Sequence, residues 1–123
     1  MLEAYSLNVD VEADAFVPFQ TVSLKKGCTA ELNGVSSIEL NKCGVYMVSV
    51  NATTSAVTTI QLYKDGIAQP QAQATGQSLG FTTLVQVPQN NSCCPCKSGT
   101  VLQVMNDTAA TFDDINIVVT KVI

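Results

Sequence analysis

Histidine, tryptophan and arginine are all missing from this chain of 123 residues. Without histidine there is no imidazole acid or base, no Ser-His or Cys-His nucleophile pair and no histidine-ligated metal. Without arginine, and with 10 acidic against 6 basic side chains, the net charge is −4. That balance disfavours a phosphate backbone, so no nucleic-acid partner is expected. Charged residues make up only 13% of the chain, yet its apolar runs are a few residues long. No segment could span a bilayer, and no membrane insertion is expected. The start, Met1-Leu2-Glu3-Ala4-Tyr5, lacks the basic residues and apolar stretch of a signal peptide. Export by another route or display on a virion stays open.

What is present is valine, isoleucine, threonine and alternation. The length fits one domain, residues 1–123, with enough chain to bury a core unaided by a cofactor. No window keeps a helical period, whereas period-two alternation recurs throughout. Tyr5, Leu7, Val9 and Val11 share one predicted face of a first strand. Tyr46, Val48 and Val50 mark a second buried face, and Thr58 to Tyr63 a further strand closed by the hairpin signal Lys64-Asp65-Gly66. Ile67 to Thr75 contains Pro70 and suits an edge or a bulge. Leu79, Phe81, Thr83, Val85 and Val87 alternate up to Pro88, and Ile115 to Val122 closes the chain. The fold class is all-β: an antiparallel sandwich or barrel of about eight to ten short strands.

One stretch carries more than composition. Ile38-Glu39-Leu40-Asn41-Lys42-Cys43-Gly44-Val45-Tyr46-Met47-Val48 has the form I-x-L-x-x-x-G-x-Y-x-V, with Leu62-Tyr63-Lys64-Asp65-Gly66 and a closing Ile115-to-Val122 strand after it. In that order the segments resemble the C1q/TNF-like jelly-roll family, from about Phe16 to the C-terminus. The nearest likeness is to the bacterial heads that cap collagen-like spore-surface stalks and to phage-associated structural proteins. On this resemblance Ile38, Leu40, Tyr46 and Val48 are core positions, and Gly44 and Gly66 serve tight turns. The resemblance also implies a homotrimer. Val101-Leu102-Gln103-Val104-Met105 adds its own support, because a strand apolar on both faces needs cover twice. Val101, Leu102, Val104 and Met105 are therefore expected at the subunit interface.

The five cysteines are Cys28, Cys43, Cys93, Cys94 and Cys96. Only Cys93-Cys94-Pro95-Cys96 stands out locally, yet the implied topology brings all three cysteine-bearing connections to one end of the molecule. Such a cluster admits three readings: two disulfides with a spare thiol, a zinc or iron thiolate site, or buried reduced thiols. Carboxylates at Glu3, Asp10, Glu12 and Asp14 could meet Asp113 and Asp114 and hold calcium, but solvated surface charge is the better reading. Asn51, Asn90 and Asn106 open Asn-x-Ser/Thr triplets, which matter only in a eukaryotic secretory route.

The expected function is non-enzymatic: a trimeric head for surface assembly and for recognition of a glycan or protein ligand, displayed on a spore, cell or virion. A metal-thiolate protein built on the cysteine cluster is the alternative. A carbohydrate-active enzyme is the weaker one, since nothing in the sequence pairs two catalytic carboxylates.

Overall fold

The computed structural model describes residues 1–27, 29–88 and 100–123. Nine strands run through them: β1 (Leu2–Val11), β2 (Ala15–Phe16), β3 (Thr21–Lys25), β4 (Ala30–Asn33), β5 (Ser37–Leu40), β6 (Gly44–Lys64), β7 (Ile67–Val87), β8 (Thr100–Asn106) and β9 (Ala110–Lys121). All pairings are antiparallel.

The β6–β7 hairpin organises the rest. Its two-residue turn puts Asp65 and Gly66 at φ +52° and +80°, the left-handed pair that suits the twist of a tight hairpin. Each strand then runs 21 residues. The alternation predicts Tyr46–Val50 and Thr58–Tyr63 as separate strands. They are one, because Thr54-Ser55-Ala56-Val57 holds no glycine or proline to turn the chain, and it bends instead. The register shifts between Thr53 and Thr58, and Thr54 Oγ1 donates to the Ala56 carbonyl at 2.7 Å.

That bend makes two layers from one hairpin. Before it, β6 pairs with β9 over Tyr46–Thr54, giving a layer ordered β3-β1-β9-β6-β7. Beyond it, β6 pairs with β8 over Ile60–Lys64, giving a layer β4-β5-β8-β6-β7 with β2 against β8. Among the described residues β7 pairs only with β6, so Pro70 sits on an edge, where a missing N–H does no harm.

The inward faces meet in one apolar core. Leu2, Ala4, Tyr46, Val48, Ile115, Ile117 and Val119 come from the first layer; Ile38, Leu40, Ile60, Leu62, Leu102 and Val104 come from the second. One expectation about this core is corrected. On β1 the inward side carries Leu2, Ala4 and Ser6, then Val9 and Val11, while Leu7 is exposed and Tyr5 half-buried. The phase changes at Asn8, whose φ is +51°. β9 matches it, passing from Ile115 to Phe112 across exposed Asp113 and Asp114. Tyr5 and Leu7 are thus on the open face of the first layer. Ser6 takes the inward place, donating to the Pro18 carbonyl at 2.6 Å and accepting from Gln20 N at 2.8 Å.

Candidate functional site

The end of the sandwich that carries Cys43 is tied by backbone and by Tyr46. Asn41 N donates to the Thr29 carbonyl at 2.9 Å, Ala30 pairs with Leu40, and Leu40 pairs with Thr100. The N-terminal amine donates to the Lys26 carbonyl at 2.9 Å. The buried Tyr46 ring sends its hydroxyl to the Lys42 carbonyl at 2.8 Å, gripping the turn that holds Cys43. Gly44 opens β6 at φ +143°, and a Cβ there would strike the Ile123 carbonyl and the Lys121 side chain. Gly66 lies in the hairpin turn, while Ile38, Leu40 and Val48 are core.

Cys43 is disulfide-bonded, and a sulfur in a disulfide is no thiolate ligand. That removes one of the four ligands a zinc or iron site would need. The readings made on Cys28, Cys93, Cys94 and Cys96 lie outside the described residues. Among the described residues no group of three or more cysteines and carboxylates could hold a metal ion. Of the carboxylates considered for calcium, Asp10 instead accepts from Thr111 Oγ1 at 2.5 Å, and Asp114 stands opposite exposed Leu7. Cys43→Ser is expected to lower the unfolding free energy by about 2–4 kcal/mol, the usual range for a disulfide. Reductant should lower wild type to the same level while a zinc chelator leaves it unmoved, which denaturant titration will read.

The strand expected at a subunit interface divides between two sides. Leu102 and Val104 have no exposed surface and point into the chain's own core, so neither has area to give a partner. Val101 and Met105 lie on the outer face, half-buried. There β2 runs beside the end of the strand, with Phe16 paired to Met105 and its ring packed edge-to-face on Tyr63 at 5.8 Å. Val101 lies at the other end of β8, opposite Glu39, and both outer residues keep part of their surface exposed.

The open face of the first layer is different. Its rows run Tyr5–Asn116–Asn51, Glu3–Val118–Ser49 and Thr120–Met47–Leu84. Leu7 and Leu84 are 56% and 61% exposed on it. Beside them, Asn116 Oδ1 and Thr120 Oγ1 are shut off from solvent with no hydrogen-bond partner among the described residues. Buried polar atoms without partners are rare and call for an explanation.

A second polar feature lies at the far end of β8, and sequence reasoning missed it. Asn106, fully buried, donates from Nδ2 to the Thr108 carbonyl at 2.7 Å and the Val11 carbonyl at 3.3 Å. Its Oδ1 accepts from Thr58 Oγ1 at 2.5 Å. An asparagine held this way cannot be a glycan acceptor, whereas Asn51 is exposed. Next to it, Asp107 Oδ1 accepts from Thr59 N at 3.0 Å, Thr108 Oγ1 at 2.9 Å and Thr58 Oγ1 at 3.2 Å. The Thr59 backbone N–H, aided by the threonine hydroxyls, holds the Asp107 carboxyl below its ordinary value against a smaller desolvation effect. It is ionised at neutral pH, the opposite of what a glycosidase asks of its acid. Asp107 and Asp14 close one end of a cavity of about 190 Å³ on the outer face of the second layer.

No protein-family model matches the chain, and neither does any curated protein. Solved structures do. The globular domain of zebrafish complement 1qA superposes with a TM-score of 0.75 at 7% identity, covering 99% of this chain and 96% of that one. Murine APRIL gives 0.68 at 13% identity, covering 98% of each. The fold is a C1q/TNF-like jelly roll. Eiger TNF from S. frugiperda (0.67, 15% identity, covering 99% and 92%) shares it. So does the PRD1 vertex protein (0.68, 14% identity), of which the match covers 72% against 99% of this chain. Within this jelly roll the first layer leaves one broad face open, and among the described residues no helix is long and apolar enough to cross a membrane.

Proposed function

We propose that this jelly roll is a non-enzymatic head domain that assembles as a homotrimer and recognises a ligand at an extracellular surface, on a spore, a cell or a virion. One observation carries the assembly: the open face of the β1, β9, β6 and β7 layer. It combines exposed Leu7 and Leu84 and half-buried Tyr5, Met47 and Val118 with the unpartnered Asn116 Oδ1 and Thr120 Oγ1. Apolar side chains in that density are what an interface covers, and a polar atom already out of water loses little more by being covered. The resemblance to C1q and TNF heads supplies the three-fold order, and the mixed polarity fits subunits that meet after folding. Of the strand first expected at the interface, Val101 and Met105 can contribute at most from the rim.

Val118 stands outward near the middle of this face, on the central strand β9. Val118→Lys places an ammonium where a partner must dry the surface. It is expected to weaken association at least about hundredfold while leaving the unfolding midpoint of the monomer near that of wild type. Light scattering behind a sizing column reads the change. A variant that stays trimeric at wild-type dilution removes this face from the assembly.

A further inference from the structure

The outer face of the second layer holds a half-enclosed cavity of about 190 Å³. Its floor is β6, where Thr59, Gln61 and Tyr63 point outward between the inward Ile60 and Leu62. Met105 of β8 and Gln73 of β7 flank Gln61 in one cross-strand row. Asp14 and Asp107 close the end.

The chemistry of this lining is selective. There is no lysine in it, so an anion has nothing to meet but two carboxylates. Asp107 Oδ1 already accepts from the Thr59 N–H and the Thr108 hydroxyl, with Thr58 Oγ1 nearby at 3.2 Å, and no hydrogen bond among the described residues uses its Oδ2. Asp14 is set at φ +59° by its N–H to the Asn106 carbonyl at 2.7 Å, with its carboxylate unbonded among the described residues. The Gln73 amide and the Tyr63 hydroxyl are equally unused there. Fixed carboxylate acceptors, an amide that both donates and accepts, and apolar contact from Met105 and Tyr63 form a complementary set. It matches a molecule with a rim of hydroxyls and a C–H face. The volume falls below the roughly 300–1,000 Å³ of pockets for drug-sized ligands, so it suits one sugar ring rather than a chain.

We propose that this cavity binds a neutral hexopyranose, with Asp14, Asp107 and Gln73 taking its hydroxyls and Tyr63 and Met105 its apolar face. The site deepens the recognition part of the proposed function and rests on that reading. It is half open to solvent, so single-sugar affinity is expected in the millimolar range, and useful strength would come from several sites on one assembly.

The test is amide NMR of the full chain titrated with glucose, galactose, mannose, N-acetylglucosamine and rhamnose. The expected result is saturable shifts at Thr59, Gln61, Tyr63 and Gln73 with at least one of these sugars. Gln73→Ala, on an exposed edge strand, should weaken that sugar about tenfold without moving the unfolding midpoint. Silence across the panel up to high millimolar overturns the proposal, as does binding that Gln73→Ala leaves unchanged. Calcium chloride alone moving Asp14 and Asp107, with sugars inert, overturns it in favour of a cation. Sedimentation of the same samples keeps the two claims apart: a trimer that binds no sugar sinks only this site, and a monomer that binds sugar sinks only the assembly.

Discussion

Replacing Tyr46 by alanine is expected to lower the unfolding free energy by about 3–5 kcal/mol, the range for removing a buried aromatic ring. Phenylalanine at the same place should cost only about 1 kcal/mol. The ring is fully buried in the core, so alanine leaves a cavity among side chains held in strands that cannot readily move to fill it. The hydroxyl has a separate task. It donates to Lys42 O at 2.8 Å and so holds the turn before Gly44, which delivers Cys43 to the end of the sandwich. Tyr46→Phe keeps the ring and loses that grip, and the Cys43 disulfide should then become easier to reduce. Denaturant titrations at one fixed protein concentration separate the two effects, since assembly would otherwise contribute to apparent stability. An alanine variant within about 1 kcal/mol of wild type would show that the ring is not a keystone of the core.

The second large effect is at Asn106. Alanine is expected to cost about 2–4 kcal/mol, because it strands the Thr108 and Val11 carbonyls and leaves Thr58 Oγ1 only its longer contacts, to Asp107 Oδ1 and the Thr108 carbonyl. Asn106→Asp is the sharper probe, being nearly the same shape. Its carboxylate would face the carbonyls that Nδ2 now serves, so the folded state should prefer the protonated acid and raise its pKa. The sign follows: below the ordinary aspartate value near 4, both states are protonated and the variant is at its best. As pH rises through that value the unfolded chain alone releases its proton, and the variant loses stability until the raised folded pKa is reached. Loss at neutral pH should exceed that of alanine. Equal losses at acid and neutral pH would mean the side chain at 106 reaches water.

Much of the fold was legible because a strand has a fixed side-chain period. Tyr46, Val48 and Val50, and later Val85 and Val87, point inward as their alternation demands. Legibility ended where a single backbone angle resets the phase. Nothing local marks Asn8 as the residue at φ +51° that turns Tyr5 and Leu7 outward, although asparagine tolerates that region better than most. The alternation of Val101 to Met105 has Leu102 and Val104 in the core, whereas Phe16, which pairs beside Met105, lies on a two-residue strand too short for any pattern. The proposed interface lies on a face whose residues, from Tyr5 to Val118, come from four strands. The sugar-sized cavity was hidden for the same reason. Asp14, Tyr63, Gln73 and Asp107 share no local motif, and Asn106-Asp107-Thr108 had only the form of a glycosylation triplet.

Sedimentation velocity on the wild-type chain at micromolar concentration, under non-reducing conditions, tests the head-domain reading most directly. The expected boundary is that of a homotrimer, shifting toward monomer in Val118→Lys. A single monomeric boundary for wild type contradicts the assembly and leaves the open face of the β1, β9, β6 and β7 layer without the cover assigned to it.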